Sequence, residues 1–240
     1  MSQWLPGVRA PTLTATTALT IDQLSGGRFI LGLGVSVSDD LLWLPYAAAQ
    51  YVTATGDLAI IDEQMAFLDG MTLAPNEQDA FFQPLPSDER ATLFEHCARA
   101  LDRSLAVGPH GLPLIGGGDW NDGLNRVGAG GQGESIWLGW FLYATIANFV
   151  GFAEQRGQSD RAASWRQHAA SLRDALERDG WDGDWYRRGY FDDGTPLGSA
   201  SSSECRIDSI AQSWGVISGA ADPPRAARAQ IEADSIGSSK

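Results

Sequence analysis

The segment of this chain with the clearest chemical potential is residues 116–128, which read GGGDWNDGLNRVG. Two carboxylates, Asp119 and Asp122, lie here with an amide and an indole between glycines. Glycine accepts backbone angles closed to other residues, so such a loop can approach a ligand closely and present carboxyl groups in a cleft. The indole of Trp120 can stack on a pyranose ring. This is the chemistry of a sugar site, and the alternative is a glycine-rich turn bearing solvated aspartates.

The elements that must position this loop are predicted to be helices separated by loops, from Ser38 onward. Capping residues, glycine stops and prolines set their limits. The predicted helices run from Ser38 or Asp39 to about Thr55, Asp57 to about Leu68, Ser87 to about Val107, Ser135 to Gln155, Ser159 to Asp179, Ile207 to Ser218, and onward from Asp222-Pro223-Pro224. A short hairpin is predicted within residues 181–191, and residues 229–240 are predicted to be frayed. The chain is therefore predicted to be mainly α.

One of these helices is apolar on most sides. No charged residue occurs between Ile136 and Ala153, a length that would also suit a membrane span. Thr145 and Asn148 interrupt the run, and aromatic rings crowd its first turns. We therefore predict an inner helix surrounded by neighbouring helices and not a membrane span.

Composition and charge narrow the class of partner. The formal net charge is −13 and the pI is near 4.5, which argues against nucleic acid or an anionic membrane as partners. A neutral carbohydrate fits this balance better. Cys97 and Cys205 lie far apart without metal-ligand spacing, and no set of His, Cys and carboxylate residues has such spacing elsewhere. Cysteines expected to be reduced, and the lack of a signal peptide after Met1, predict a cytoplasmic protein. The lack of ligand spacing predicts that it holds no metal.

The first 36 residues differ in character from the rest. Residues 11–24 are predicted to form a helix, a glycine stop follows, and residues 29–35 are predicted to form a buried strand. The sequence of residues 18–34, ALTIDQLSGGRFILGLG, resembles that of luciferase-like flavin or deazaflavin monooxygenases. One such unit cannot close a barrel or hold a flavin. We therefore predict a short foreign α-β segment at 1–36 and a second domain at 37–240.

The second part, from about residue 37 to about residue 229, resembles glycoside hydrolase family 94, whose members are inverting sugar phosphorylases. Besides the glycine-rich loop, the matching segments are DDLLWLPY at 39–46, YVTATGD at 51–57, FEHC at 94–97, HGLP at 110–113, GESIWLGWFL at 133–142 and IAQSW at 210–214. The cyclic β-1,2-glucan synthase type is the nearest variant. Together with the alternation of apolar and polar helices, the resemblance implies an incomplete (α/α)6 barrel.

The resemblance also implies a role for each candidate residue. Asp122 matches the general acid, which protonates the leaving oxygen while inorganic phosphate attacks the opposite face of the sugar. Asp119 becomes its electrostatic and positioning neighbour, and Trp120 contacts the sugar. Asp40, or failing that Asp39, matches a position that hydrogen-bonds the sugar in the −1 subsite, although a helix cap would explain either residue. From the residues themselves, Gln212 is a second candidate for a sugar hydroxyl. Trp137, Trp140 and Trp214 are expected in the core rather than as stacking platforms, and His96 and His110 are expected to be structural rather than acid-base groups.

The expected substrates are a β-linked glucan or oligosaccharide and phosphate, with no cofactor. Two departures from the family matter: residues 34–37 read GVSV where relatives carry arginines, and the phosphate-binding segments that follow the last helices are not in this sequence. We therefore expect a fragment without phosphorolysis of its own, whose membrane association would require other parts of a larger parent protein. The alternatives are an inverting hydrolase that uses Glu134 or Glu204 as base, a non-catalytic glucan-binding fragment and, more remotely, a flavin-dependent oxidoreductase.

Overall fold

The structure is a computed structural model that describes residues 38–70 and 85–237. The predicted helix, strand and monooxygenase-like segment within residues 1–36 lie outside the described residues. The described part is mainly α, as the sequence predicts. Its helices are α1 (Asp40–Thr55), α2 (Leu93–Arg103), α3 (Ile136–Gln155), α4 (Ser159–Ala175), α5 (Ser209–Ile217) and α6 (Pro223–Gly237).

The strands are short and form two small antiparallel sheets. The first pairs β1 (Gln64–Asp69) with β2 (Leu85–Thr92), with Gln64 opposite Thr92. The second has the order β3 (Glu134–Ser135), β4 (Gly189–Tyr190) and β5 (Pro196–Leu197). Because β3 leads directly into α3, this second sheet fixes the start of the central helix.

Helix α3 is the centre of the hydrophobic core and packs against α1, α4 and α5. Its aromatic side chains Trp137, Trp140, Phe141 and Phe149 are all at most 1% exposed. By length and composition alone this helix could cross a bilayer, but most of it is buried inside the protein. The neighbouring helices therefore account for its apolar surface, as predicted.

Local signals set the limits of several helices where the sequence predicts them. Gly56 ends α1 in the left-handed conformation, with φ of 74°. The Oγ atom of Ser135 accepts a hydrogen bond from Leu138 N (3.1 Å) and caps α3. Asp208 caps α5 in the same way, through Ile210 N (3.0 Å). Pro223 lies in the first turn of α6, also as predicted.

One predicted helix was wrong, and another begins later than predicted. Asp57 caps only a 3-10 turn, Leu58–Asp62, and the chain then enters β1 where the helix was predicted to continue to Leu68. Ser87 lies within β2, and α2 begins later, capped by Thr92. A short apolar run does not distinguish helix from strand, and the pairing of β1 with β2 decides the matter. The frayed end predicted for residues 229–240 is also wrong for residues 229–237, where α6 continues to Gly237; residues 238–240 lie outside the described residues.

Candidate active site

The glycine-rich loop, which we call the acid loop (residues 116–133), is closed at its base. Ile115 N donates to Gly133 O at 2.9 Å, so the two ends of the loop lie side by side. A Cβ atom at Gly133 would lie 2.3 Å from Val127 O, closer than any real contact. This close approach of two backbone segments requires glycine.

A distant carboxylate organises the second half of the acid loop. Asp192 accepts hydrogen bonds from the backbone N–H groups of Gly130 (2.6 Å), Gln132 (2.8 Å) and Gly133 (2.9 Å). These N–H groups favour the charged carboxylate and lower the pKa of Asp192. The local sequence does not single out this residue, since Asp192-Asp193-Gly194 has the composition of an ordinary turn.

Asp119 belongs to the acid loop and is completely buried. Its Oδ1 atom accepts from Arg188 Nη2 (2.6 Å) and from Asn121 N (3.2 Å), and its Oδ2 atom accepts from Ser135 Oγ (2.8 Å). Arg188 is itself only 2% exposed, so the two residues form a buried ion pair. These hydrogen bonds of Asp119 are all to groups within the protein, and a direct contact with sugar stays a prediction.

Asp122 and Trp120, in contrast, lie at the surface of the loop. Asp122 is exposed and begins a 3-10 turn, Asp122–Leu124, which Asn121 caps by accepting from Gly123 N at 3.0 Å. Trp120 is 45% exposed, an unusual state for an indole. The loop thus buries one motif carboxylate and presents the other beside an open aromatic face.

The start of α1 joins the acid loop directly. Ser38 donates to Gly118 O through its backbone N (3.3 Å) and its Oγ (3.0 Å). Asp39 follows and is only 2% exposed; its Oδ2 accepts from Trp43 Nε1 at 2.8 Å, while no described residue bonds its Oδ1. Asp39 occupies the N-cap position but makes no capping hydrogen bond, so side-chain capping does not explain it. Asp40, half-buried in the first turn, can still interact with the helix dipole.

Burial raises the pKa of Asp39 from 3.8 to about 6, with a further upward contribution from the charges of Asp40 and Asp119. Since the folded-state pKa is the higher one, protonation stabilises the fold, and that stabilisation is lost as the pH rises from about 4 through about 6. We predict that Asp39→Asn removes this loss. The free energy of unfolding of the variant minus that of the wild type should rise by about 2 kcal/mol between about pH 4 and pH 7.

Urea denaturation at several pH values measures this difference. The exposed Asp69, at the end of β1, supplies the matched control Asp69→Asn. A difference between wild type and Asp39→Asn that does not change with pH would contradict the elevated pKa.

Gln212 is fully buried on α5 and bonds only within the chain. Its Oε1 accepts from Tyr186 N (2.8 Å), and its Nε2 donates to Tyr186 O (2.7 Å) and Asp208 O (2.9 Å). Both amide hydrogens are therefore used, and a bond to a sugar hydroxyl stays a prediction. Trp137 and Trp140 are core residues, as predicted, and Trp214 packs on Phe141 at 5.0 Å between ring centroids.

Glu134, a candidate base for hydrolysis, is held on all sides. Its Oε1 accepts from His110 N (3.0 Å) and Leu112 N (3.1 Å), and its Oε2 bonds His110 Nδ1. The His110 ring stacks on the Tyr190 ring, with 3.9 Å between the ring centroids. This geometry gives Glu134 a structural role and disfavours it as a base for water. In the described ranges 38–70 and 85–237, no group of three metal-ligating side chains converges.

Comparison with known proteins shows the family of this chain. Residues 2–238 match the model of the glycosyl hydrolase 94 superfamily, catalytic domain. The match includes residues 2–36, for which the monooxygenase resemblance and the domain boundary stay predictions. A cyclic β-(1,2)-glucan synthase from Rhizobium meliloti is 52% identical over 199 residues, 82% of this chain and 7% of that protein.

Two phosphorylases from Paenibacillus borealis are also similar. A solabiose phosphorylase is 32% identical over 94% of this chain and 28% of its own length. A 3-O-β-D-glucopyranosyl-β-D-glucuronide phosphorylase is 32% identical over 83% of this chain and 24% of its own length. The chain thus spans less than a third of each of these relatives. By the match over nearly its whole length, the chain belongs to the glycosyl hydrolase 94 superfamily.

Proposed function

We propose that this chain carries the general acid of an inverting enzyme that acts on β-linked glucans with inorganic phosphate as co-substrate. The observation that carries the proposal is the acid loop, which presents exposed Asp122 beside exposed Trp120 on a base fixed by buried Asp119. The relatives named as a β-glucan synthase and as phosphorylases support the substrate class. In the proposal, no organic cofactor or metal takes part.

In the proposed reaction the sugar lies against the Trp120 ring and covers Asp122. Covering the carboxyl group excludes water from the place where the proton is transferred. Asp122 then donates its proton to the leaving glycosidic oxygen while phosphate attacks the anomeric carbon from the opposite face. Inversion at a β-linkage yields an α-sugar 1-phosphate and a shortened glucan.

Around the acid loop we propose an incomplete (α/α)6 barrel. The apolar helices α1, α3 and α5 alternate along the chain with the more polar helices α2, α4 and α6. The apolar helices also contact one another in chain order, α1 with α3 and α3 with α5, as neighbours in an inner ring would. The amino-terminal ends of α1 and α3 bond the acid loop through Ser38 and Ser135, respectively. The amino-terminal end of α5 is linked to the loop by Arg188, which contacts both Asp208 and Asp119. The sugar contacts that the family assigns to Asp40 or Asp39 would come from this end.

The test is a chimera in which residues 38–237 replace the matching segment of the Rhizobium meliloti synthase. We expect phosphate-dependent release of sugar 1-phosphate from a β-1,2-glucan by the purified chimera. Release of free sugar without phosphate would identify hydrolysis instead. Binding of glucan without any product, under conditions in which the parent synthase is active, would reduce the segment to a binding module.

A further inference from the structure

Arg188 has three partners that come from three separate parts of the chain. Its Nη2 donates to Asp119 Oδ1 (2.6 Å) in the acid loop, and its Nη1 donates to Ser135 Oγ (3.0 Å) at the start of α3. Its Nε lies 3.0 Å from Asp208 Oδ2 at the start of α5, an ion pair without the alignment of a hydrogen bond. One buried guanidinium thus joins the acid loop to the amino-terminal ends of two core helices.

The backbone around Arg188 fixes the direction of this side chain. Arg188 N donates to Leu197 O (2.8 Å), and its carbonyl accepts from Ile136 N (3.1 Å). On the far side, a Cβ atom at Gly198 would lie 2.8 Å from the Arg188 backbone N and Cβ, so only glycine fits there. A planar guanidinium can direct N–H groups at both Asp119 and Ser135 while keeping its charge beside Asp208, a geometry that a compact ammonium group does not match.

A continuous set of hydrogen bonds leads from Arg188 to the turn that carries Asp122. Asp119 Oδ1 accepts from Arg188 and also from Asn121 N (3.2 Å). Asn121 Oδ1 in turn accepts from Gly123 N (3.0 Å). The residues immediately before and after Asp122 are therefore both tied, through Asp119, to the same guanidinium.

We propose that Arg188 is a positioning residue for Asp122, holding the acid turn at a fixed place relative to α3 and α5. The inference rests on the proposed function, because the position of Asp122 matters for activity only if Asp122 is the acid. The mechanical part, that Arg188 holds the loop in place, can be measured without any substrate. The catalytic part is that this placement of Asp122 matters for activity. Arg188 itself need not touch the sugar.

Hydrogen exchange of the 240-residue chain, followed by mass spectrometry, tests the mechanical part. In Arg188→Lys, we expect amides of residues 119–125 to exchange at least tenfold faster while amides of α3 keep their rates. The matched control is Arg187→Lys. Arg187 bonds Asp179 O, Trp181 O and Tyr190 OH, and it pairs with Asp182; none of these partners belongs to the acid loop.

Two results would overturn the proposal. Unchanged exchange in the loop would show that Arg188 does not hold it, and equal acceleration in the loop and α3 would show a general loss of packing. If Arg188→Lys does not fold, Asp208→Asn replaces it, because asparagine still caps α5 but removes the charge beside Arg188 Nε. That variant should accelerate exchange in residues 119–125 about threefold, and no acceleration there would contradict the proposal.

Kinetics in the synthase chimera test the catalytic part. Arg188→Lys should lower kcat for phosphorolysis at least tenfold and leave KM for the glucan within about twofold, since a displaced acid impairs proton transfer more than binding. An equal kcat with a raised KM would assign Arg188 to substrate binding instead. An inactive parent chimera would count against the proposed function, whereas the exchange result would still decide whether Arg188 positions the loop.

Discussion

Asp122→Asn is expected to lower kcat of the synthase chimera by roughly 10²- to 10⁴-fold, the usual contribution of general acid catalysis. The amide has nearly the same shape as the carboxylic acid but cannot donate the proton to the leaving oxygen. Because Asp122 is exposed on a surface turn, the same change should leave the free energy of unfolding within about 0.5 kcal/mol. Sugar 1-phosphate release and urea denaturation measure the two quantities.

The matched control is a glucan-derived substrate with a good leaving group, which needs little protonation. The activity of Asp122→Asn on such a substrate should recover most of the loss, because the barrier for proton transfer is then bypassed. Near-normal activity of Asp122→Asn on an unactivated glucan would move the acid to another residue.

Asp119→Asn is expected to have the opposite pattern and to destabilise the 240-residue chain by about 3 kcal/mol, because it leaves the Arg188 charge buried with one partner fewer. The amide preserves the volume, so the loss comes from charge and hydrogen bonding. Urea denaturation near pH 7 provides the measurement.

Asp122→Asn is again the matched comparison, since the two carboxylates lie three residues apart in the same loop and differ in burial. In the chimera, Asp119→Asn should reduce kcat less than Asp122→Asn does once both are measured well below their unfolding midpoints. A variant Asp119→Asn with wild-type stability would mean that the buried ion pair with Arg188 contributes little. A completely inactive Asp119→Asn beside an active Asp122→Asn would reverse the assignment of the acid.

The parts of the fold that the sequence predicts correctly are those with local causes. Gly56 and Ser135 mark helix limits because their own conformation or side chain satisfies the helix end. Strand β1 has no comparable signal, since residues 65–68 form a short apolar run of either type. Its partner β2 lies about 20 residues further along, and only the pairing of the two segments determines the strand.

The same distinction applies to the candidate site. Asp119, Trp120 and Asp122 are adjacent in the chain, so one glycine-rich motif reveals all three. Arg188 reaches Asp119 from 69 positions away, and nothing in its local sequence names that partner. The one sequence feature that could have pointed to Arg188 is its place among aromatic and glycine residues in an acidic chain. The burial of Asp39 is equally hidden, because an Asp at a helix start is normally an exposed cap.

The closed base of the acid loop makes it an exchangeable unit. Since Ile115 N and Gly133 O meet in one hydrogen bond, a replacement loop enters and leaves the helical scaffold at a single point. A graft from another family member would keep its shape here only if it supplied an acceptor for Arg188 and backbone donors for Asp192. Loop transplantation is therefore constrained at two anchoring points, Arg188 and Asp192, and leaves the surrounding helices intact.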